Sequence, residues 1–593
     1  DRKSTQLRGG AGNVVSRSET YYDDETFAGD GDNLPTRGNA TLVRRWVALP
    51  QFPDDTGTYV DAARFKYDAY GNVVATLDAL AQAPDGEIDD TAGHYRTMEY
   101  DPLFHAHTTT ETVHIGANKD DLVMSAAYDV GFGAVVASTD FNGNTTTYRH
   151  DVFDRFVATV RPGDTAAFPT IEYEYALAVP FADGGVVNYV ETRLLDTPPG
   201  EQADKRDHYF ITRSFVDGLG RPLMTKRETE PDPLTGSPRA SVHGAVHFNG
   251  RGEAQAGLNP FFSLNTGADL DAQLAFEDIT APDWQGRFHV DGELVDLDYA
   301  GAPKTTFEYD ATLREVLMTN ADGTFQQYFY EPLTKVVFDE EDNEPESRHY
   351  ETPILFHRDG LGRLFRIDEI ARWNADGSPS PTSFKIATRY EYRADGVITR
   401  IIDAQENEKR YAYDALGRKV YMNDPNRGEK RYAYDAASNL VATLDAKGQR
   451  VTYTYDGANR HLTEDYHDEG EAFSAERNYD PAEPISETNR PDVAYYYDTP
   501  DGPVDLGDGT SAVPQNTRGF LVRVTDLAGE DYTSYDSRGR VEWVVKRIPD
   551  PATGDLVSYA TRTTYDRQDR LDTGVFPDGD RCPYPYNAGN RFA

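Results

Sequence analysis

Polar and apolar positions alternate along much of this chain in short runs, many of them closed by an aspartate and, three residues later, often a glycine. Tyr411, Ala412 and Tyr413 set the pattern. Side chains two apart share one face of a strand, so the two tyrosines point one way and the alanine the other. Asp414 follows, a residue whose carboxylate accepts backbone N–H bonds two residues on and so opens a turn. Gly417 supplies a positive φ, and Arg418 leads into the return strand Lys419-Val420-Tyr421-Met422. A second turn, Asn423-Asp424-Pro425-Asn426-Arg427-Gly428, closes the unit. Each unit therefore reads as a β-hairpin of roughly 20 residues, with successive hairpins joined edge to edge into one long antiparallel sheet.

The spacing of these units is regular. Tyr392, Tyr413, Tyr434 and Tyr455 fall 21 residues apart. The unit headed by Tyr411, Tyr413 and Asp414 is followed by Tyr432, Tyr434 and Asp435, then by Tyr453, Tyr455 and Asp456. A fixed period of about 20 residues marks a stacked repeat, in which one unit cannot bury its own apolar face. Weaker copies recur at Tyr67, Asp68 and Gly71, at Tyr128 and Asp129, and at Tyr148 with Asp151. Others follow at Tyr309-Asp310, at Tyr535, Asp536, Gly539 and Arg540, and at Tyr565-Asp566. Asp217, Gly220 and Arg221, and Asp359, Gly362 and Arg363, are copies of the turn alone. Most tyrosines and aspartates thereby become scaffold.

These residues resemble the YD-repeat (Rhs) family, whose phrase is close to Y-x-Y-D-x-x-G-R. The resemblance covers roughly residues 60–165, 205–225, 300–460 and 530–593, and it is most specific over Arg410–Asp456. Tyr21 to Gly29, followed by Thr36-Arg37-Gly38, looks like the segment that introduces the repeats in the B subunits of insecticidal Tc toxins. The resemblance implies an all-β fold, a YD-repeat hairpin array coiling into a large hollow shell or a spiral sheet. In relatives such shells enclose a passenger, often a C-terminal toxin. Bacterial wall-associated proteins and teneurins carry related sheets at cell surfaces.

Composition sharpens this picture. The chain has 38 tyrosines and 28 phenylalanines but 4 tryptophans. A sheet with a wet face favours tyrosine, whose ring packs while its hydroxyl reaches water or a neighbour. A hydrophobic content of 38% is low for a compact globule of 593 residues and suits a wall one sheet thick. Length alone would give about four domains, but a repeat sheet grows without closing a new core. The net charge of −42 argues against nucleic-acid binding. Thirteen lysines against 46 arginines fit adaptation to salt and fit a GC-rich genome equally well. A single cysteine, Cys582, allows no internal disulfide. No apolar run reaches the ~20 residues of a membrane span. Asp1 to Ser4 carry no signal-peptide pattern, and Tyr586 to Arg591 begin another turn phrase, so a piece of a longer protein is expected.

The repeat pattern organises the chain into six stretches: a lead-in over 1–60, shell repeats over 61–225, an inserted or plug-like segment over 226–300, a regular array over 301–463, a long loop insertion over 464–528 and further repeats over 529–593. An elaborated loop with Pro198-Pro199-Gly200 is expected over 165–205, a short helix near Asp269–Glu277, and a hairpin at Val493–Tyr497 among the long loops. Long loops on a rigid scaffold are where partner contacts are usually placed.

Candidate chemistry is sparse. The chain carries no nucleophile elbow, zincin helix, phosphate loop or paired-cysteine motif. Cys582 has no histidine near it in sequence. His105 and His107 would share a strand face with His114 following, a metal site by geometry but without an acid at a convincing offset. The acidic groups Asp23-Asp24-Glu25 with Asp30 and Asp32, and Asp339-Glu340-Glu341-Asp342, follow no EF-hand spacing and read as solvated loops. No catalytic, cofactor or metal residue is assigned. The expected protein is a non-enzymatic bacterial shell, secreted or held at the cell surface. Its partners would be an enclosed polypeptide passenger, a toxin, and other toxin-complex subunits, with self-association open and no nucleic acid or membrane span. The other reading is an extracellular adhesion module on the same sheet. The arginine of the phrase is expected to bridge to an acid of the next hairpin.

Overall fold

The computed structural model describes residues 2–8, 14–29, 34–48, 57–181, 184–196, 208–232, 235–264, 269–373, 379–467, 480–486 and 488–586. Asp30, Asp32 and the Pro198-Pro199-Gly200 loop lie outside the described residues. Nearly all regular structure is antiparallel strand, in sheets of 19 and 23 strands and one two-stranded ribbon. The helices Leu270–Gln273 and Glu340–Asn343 are each one turn long.

The repeat phrase builds the hairpins. In the unit at 408–424, strand Glu408–Tyr413 pairs with Lys419–Asp424, and that strand pairs onward with Gly428–Tyr434. The same step continues through Leu440–Leu444, Arg450–Tyr455 and His461–His467. Each hairpin carries a register shift at one place, immediately before the YD tyrosine: Ala412/Tyr413, Ala433/Tyr434, Thr454/Tyr455 and Ser534/Tyr535. Such bulges bend a strand and strengthen its twist.

The chain divides into two compact units. Unit 1 holds residues 1–147, 389–563 and 575–580. Its buried apolar residues are scattered small clusters, as a thin wall requires: Tyr21, Phe27 and Leu42; Ala75, Leu77 and Tyr95; and Tyr532, Trp543 and Val545 with Val504 and Leu506 of the ribbon. The last cluster shows what the 464–528 stretch does locally, since its ribbon lies over one face of the sheet. Val493–Tyr497 is a single strand of the large sheet, pairing with His461–His467 and Leu521–Asp526. It is not a separate hairpin, because both of its edges find partners across long connections.

Unit 2 holds residues 148–388, 564–574 and 581–593, and has the largest core, around Phe215, Met224, Val242, Phe261, Trp284 and Phe288. The 226–300 stretch builds much of it. Arg239–His243, Phe261–Ser263, Gln285–Val290 and Glu293–Asp298 are successive sheet strands, and Val246–Phe248 pairs with Ala254–Leu258 in the other sheet. Between them lies the one-turn helix Leu270–Gln273, capped by Asp269, with Leu270 and Leu274 packed against Ile211 and Ala240. Lys226, fully buried, reaches Glu277 Oε1 at 2.8 Å, the Ser263 hydroxyl at 3.0 Å and the Gln273 carbonyl at 3.2 Å. The Trp284 indole N–H donates to the other Glu277 oxygen at 2.8 Å.

Candidate functional site

The repeated feature of this protein is the YD turn. At Asp414 one carboxylate oxygen accepts the N–H groups of Leu416 and Arg418, both at 2.9 Å, while the other accepts Arg418 Nε at 2.6 Å. Asp217 does the same with Leu219 and Arg221, Asp359 with Leu361 and Arg363, and Asp536 with Arg538 and Arg540. Asp456 holds Ala458 and Arg460 in the same way. One side chain thus satisfies two loop donors and a guanidinium, which is why aspartate is needed at this position. The arginine folds back on the acid of its own turn, four residues away, a contact beyond the expected bridge to an acid of the next hairpin. Both contacts coexist at Arg460, which grips Asp456 at 2.7 Å and Asp498 of the next hairpin at 2.6 Å. Arg418 reaches onward to the Asp435 carbonyl at 2.8 Å.

The third residue after the aspartate has a positive φ in every copy but that of Asp129. It is glycine at Gly71, Gly220, Gly362, Gly417 and Gly539, but Asp154, Leu313, Ser438, Asn459 and Asp569 take the place in the turns of Asp151, Asp310, Asp435, Asp456 and Asp566. In the turn of Asp129 the loop is one residue longer, and Gly133 rather than Gly131 carries the positive φ. An asparagine replaces the arginine where Asn72 bonds Asp68 and Asn439 bonds Asp435, each through Nδ2 at 2.9 Å.

Sequence reasoning missed the role of the YD tyrosine hydroxyl. Tyr67 donates to the Ala40 carbonyl, Tyr128 to Thr108, Tyr434 to Lys419, Tyr455 to Leu440 and Tyr535 to Leu521, all at 2.8–3.0 Å. Lys419 and Leu440 are the first residues of the return strands of the preceding hairpins. Each tyrosine therefore clasps its own hairpin to the one before. The signal was present in the sequence as the constant spacing from Tyr434 back to Lys419 and from Tyr455 back to Leu440, 15 residues in both cases.

Register sorts the side chains of the regular array into two faces. Tyr411 lies opposite Met422, Met422 opposite Lys430, Tyr432 opposite Thr443, Tyr453 opposite Glu464 and Tyr495 opposite Val524. That face carries Tyr411, Tyr413, Tyr432, Tyr434, Tyr453 and Tyr455, with Lys419 and Lys430 over the Tyr432 ring. The other face carries charge: Glu391 pairs with Arg400 at 3.1 Å, Arg410 with Glu408 at 2.5 Å and Arg431 with Glu429 at 3.7 Å. Tyr392 ends its strand beside a register shift like the rest of the series.

The remaining candidates resolve into local structure. His105 and His107 precede the strand Thr108–His114 and lie in the turn made by Asp101, where they stack on Tyr70 and Tyr128. His114 stacks on Tyr95 and pairs with Asp121 at 2.8 Å. The three rings therefore do not share a strand face. Among the described residues no group of three or more His, Cys, Asp or Glu has the geometry to hold a metal ion. Cys582 sits half-buried in the short strand Arg581–Pro583. Asp23 accepts four backbone N–H groups, from Thr36, Arg37, Gly38 and Asn39, at 2.6–3.0 Å. Burial, the largest influence on its carboxyl, pushes the pKa up, but the four bonds together outweigh it and hold the value at about 2. Asp339 and Asp342 form a capping box around the helix Glu340–Asn343.

Residues 434–470 match the RHS repeat family. No curated protein matches the chain. Among solved structures, TcdB2-TccC3-TEV aligns with a TM-score of 0.71 at 16% identity, over 98% of this chain and 32% of that one. TcdB2-TccC3 aligns at 0.70 with 18% identity, over 98% and 30%. The Photorhabdus luminescens Tc holotoxin pore with a substituted TccC3 aligns at 0.70 with 16% identity, over 98% and 31%. The chain spans about a third of the length of the chains it matches. At such identities the likeness is one of fold. The YD phrase, the RHS repeat at residues 434–470 and the shared architecture together give this chain the all-β fold of the TcdB2-TccC3 Tc toxin structures.

Proposed function

We propose that this chain is part of the wall of a non-enzymatic container, a bacterial, secreted shell that holds a toxic polypeptide passenger and works with other subunits of a toxin complex. The observation that carries this reading is the fold match to the TcdB2-TccC3 structures over 98% of the chain. The match is 0.71 to the structure without the hypervariable C-terminal region and 0.70 to the one named with Cdc42. A wall whose fold is indifferent to what accompanies it suits a container. The two-faced sheet supports the reading further. A tyrosine face offers ring area and hydroxyls to any unfolded chain, and an ion-paired face suits water. The YD carboxylates are engaged in turns, which leaves them structural rather than catalytic.

Limited proteolysis of the protein produced with its whole reading frame tests this. The reading expects passenger segments to survive a protease concentration that cuts exposed loops of the shell. Cleavage of passenger and loops at the same rate would overturn it.

A further inference from the structure

Within unit 1 the two sheets meet where YD turns of the second approach the loops at the ends of hairpins of the first. Three backbone amides donate across this line: Ala415 to the Ala48 carbonyl at 2.9 Å, His94 to the Gly457 carbonyl at 2.7 Å, and Arg518 to Asn142 Oδ1 at 2.9 Å. Side chains add to them. Asn459 donates to Asp78 at 2.8 Å, and Asn142 to the Arg518 carbonyl at 3.0 Å. Asp78 also accepts the Leu80 N–H at 2.8 Å and lies 3.1 Å from His94 Nδ1. The apolar part is small: Ala458 and Phe141 pack against Val113, Ile115 and Leu122. The approach is close enough that a Cβ on Gly457 would lie 2.6 Å from the Ala92 carbonyl oxygen.

We propose that this seam is a parting line, along which unit 1 opens while each sheet stays whole. Inside a sheet neighbouring strands are joined by ladders such as that between Gly428–Tyr434 and Leu440–Leu444, and hairpins such as those of Tyr434 and Tyr455 are further clasped by the tyrosine hydroxyl. Across the seam the bonds come in small separate groups, at Ala415, at Gly457 with Asn459, and at Asn516 with Arg518, whose guanidinium also reaches Asp120 at 3.3 Å and the Asp121 carbonyl at 2.6 Å, and several sit near solvent, where polar contacts contribute least. Cooperative units separate where the contacts joining them are fewest. A passenger could then leave without unfolding of the wall. That purpose rests on the containment reading, while the parting line itself does not.

Native-state hydrogen exchange resolved to single amides tests the proposal on the protein alone, with no passenger. The amides of His94, Ala415 and Arg518 are expected to exchange at least tenfold faster than the ladder amides joining Gly428–Tyr434 to Leu440–Leu444. In a Cys582→Ser background, a disulfide between Ala48→Cys and Ala415→Cys should slow all three to the ladder rate when oxidised and release them when reduced. Exchange of seam and ladder amides in one cooperative step in the unmodified protein would overturn the proposal, whether or not the disulfide forms. That result would leave the containment reading untouched.

Discussion

The hydroxyl of Tyr434 donates to the carbonyl of Lys419 at 3.0 Å, tying the turn of one hairpin to the return strand of the hairpin before it. Because Tyr455 and Tyr535 make the same bond, to Leu440 and Leu521, the tyrosine of the YD phrase is a link between repeats rather than a decoration of one. Tyr434→Phe keeps the ring and leaves a half-buried carbonyl without this donor. It should lower unfolding free energy by about 0.5–1.5 kcal/mol in chemical denaturation, and Tyr434→Ala should cost more because ring packing goes as well.

The two members of the turn pair should differ in weight. Asp536 accepts the N–H groups of Arg538 and Arg540 and the Arg540 guanidinium. Asp536→Ala leaves two loop donors unpaired, a loss of about 1–2 kcal/mol by analogy with a lost helix cap. Arg540→Ala removes an ion pair near the surface, worth about 0–1 kcal/mol. Equal losses in thermal unfolding would show that the pair acts through its charge alone.

Gly417 and Ser438 occupy the same place in successive turns, with φ of 81° and 76°. No atom lies within 4 Å of where a Cβ on Gly417 would fall, so backbone conformation alone decides the outcome of a substitution. Gly417→Ser should destabilise by about 1 kcal/mol and Ser438→Gly should stabilise by up to a similar amount. The opposite signs, read from paired denaturation curves, are the prediction.

In unit 2 the buried pair of Lys226 and Glu277, with the Gln273 carbonyl, ties the segment that follows helix Leu270–Gln273 to strand Pro222–Thr229. Burial, the largest influence on Lys226, lowers its pKa, and the Glu277 charge opposes that. Lys226→Met strands a buried carboxylate and should cost about 3–5 kcal/mol. The double variant Lys226→Met with Glu277→Leu should be the milder, because no unpaired charge remains. A double-mutant cycle with additive losses would refute the coupling.

Acid should act through the turns. The Arg363 hydrogen bond, the largest influence on Asp359, lowers its pKa, and backbone donors hold Asp23 at about 2. Carboxyls depressed in the folded state contribute stability above their unfolded pKa near 3.9 and lose it as pH falls through the folded value. The melting temperature should therefore fall steeply between about pH 4 and pH 2, and Asp23→Asn should flatten part of that fall.

Much of this architecture is legible in the chain, because the repeat carries its own instructions. Tyr413, Asp414, Gly417 and Arg418 state a strand end, a turn opener, a positive φ and a return, and each occupies that place. What stays hidden is contact between units of the phrase. The tyrosine clasp joins residues on different hairpins, and the seam joins Asp78 to Asn459, 381 positions apart. No local pattern encodes such a pair. The histidines mislead for a related reason: His105 and His107 look like strand residues by alternation, yet Asp101 bends them into its turn. Val493–Tyr497 reads as a hairpin but is one strand, because its partners lie across connections too long for hairpin rules.

A cryo-EM map of the purified protein at medium resolution tests containment most directly. The account predicts sheets that curve in one sense around a continuous internal volume, with the face of Tyr411, Tyr432 and Tyr453 turned inward. An extended flat sheet, a fibre, or a map with the tyrosine face outward would contradict it.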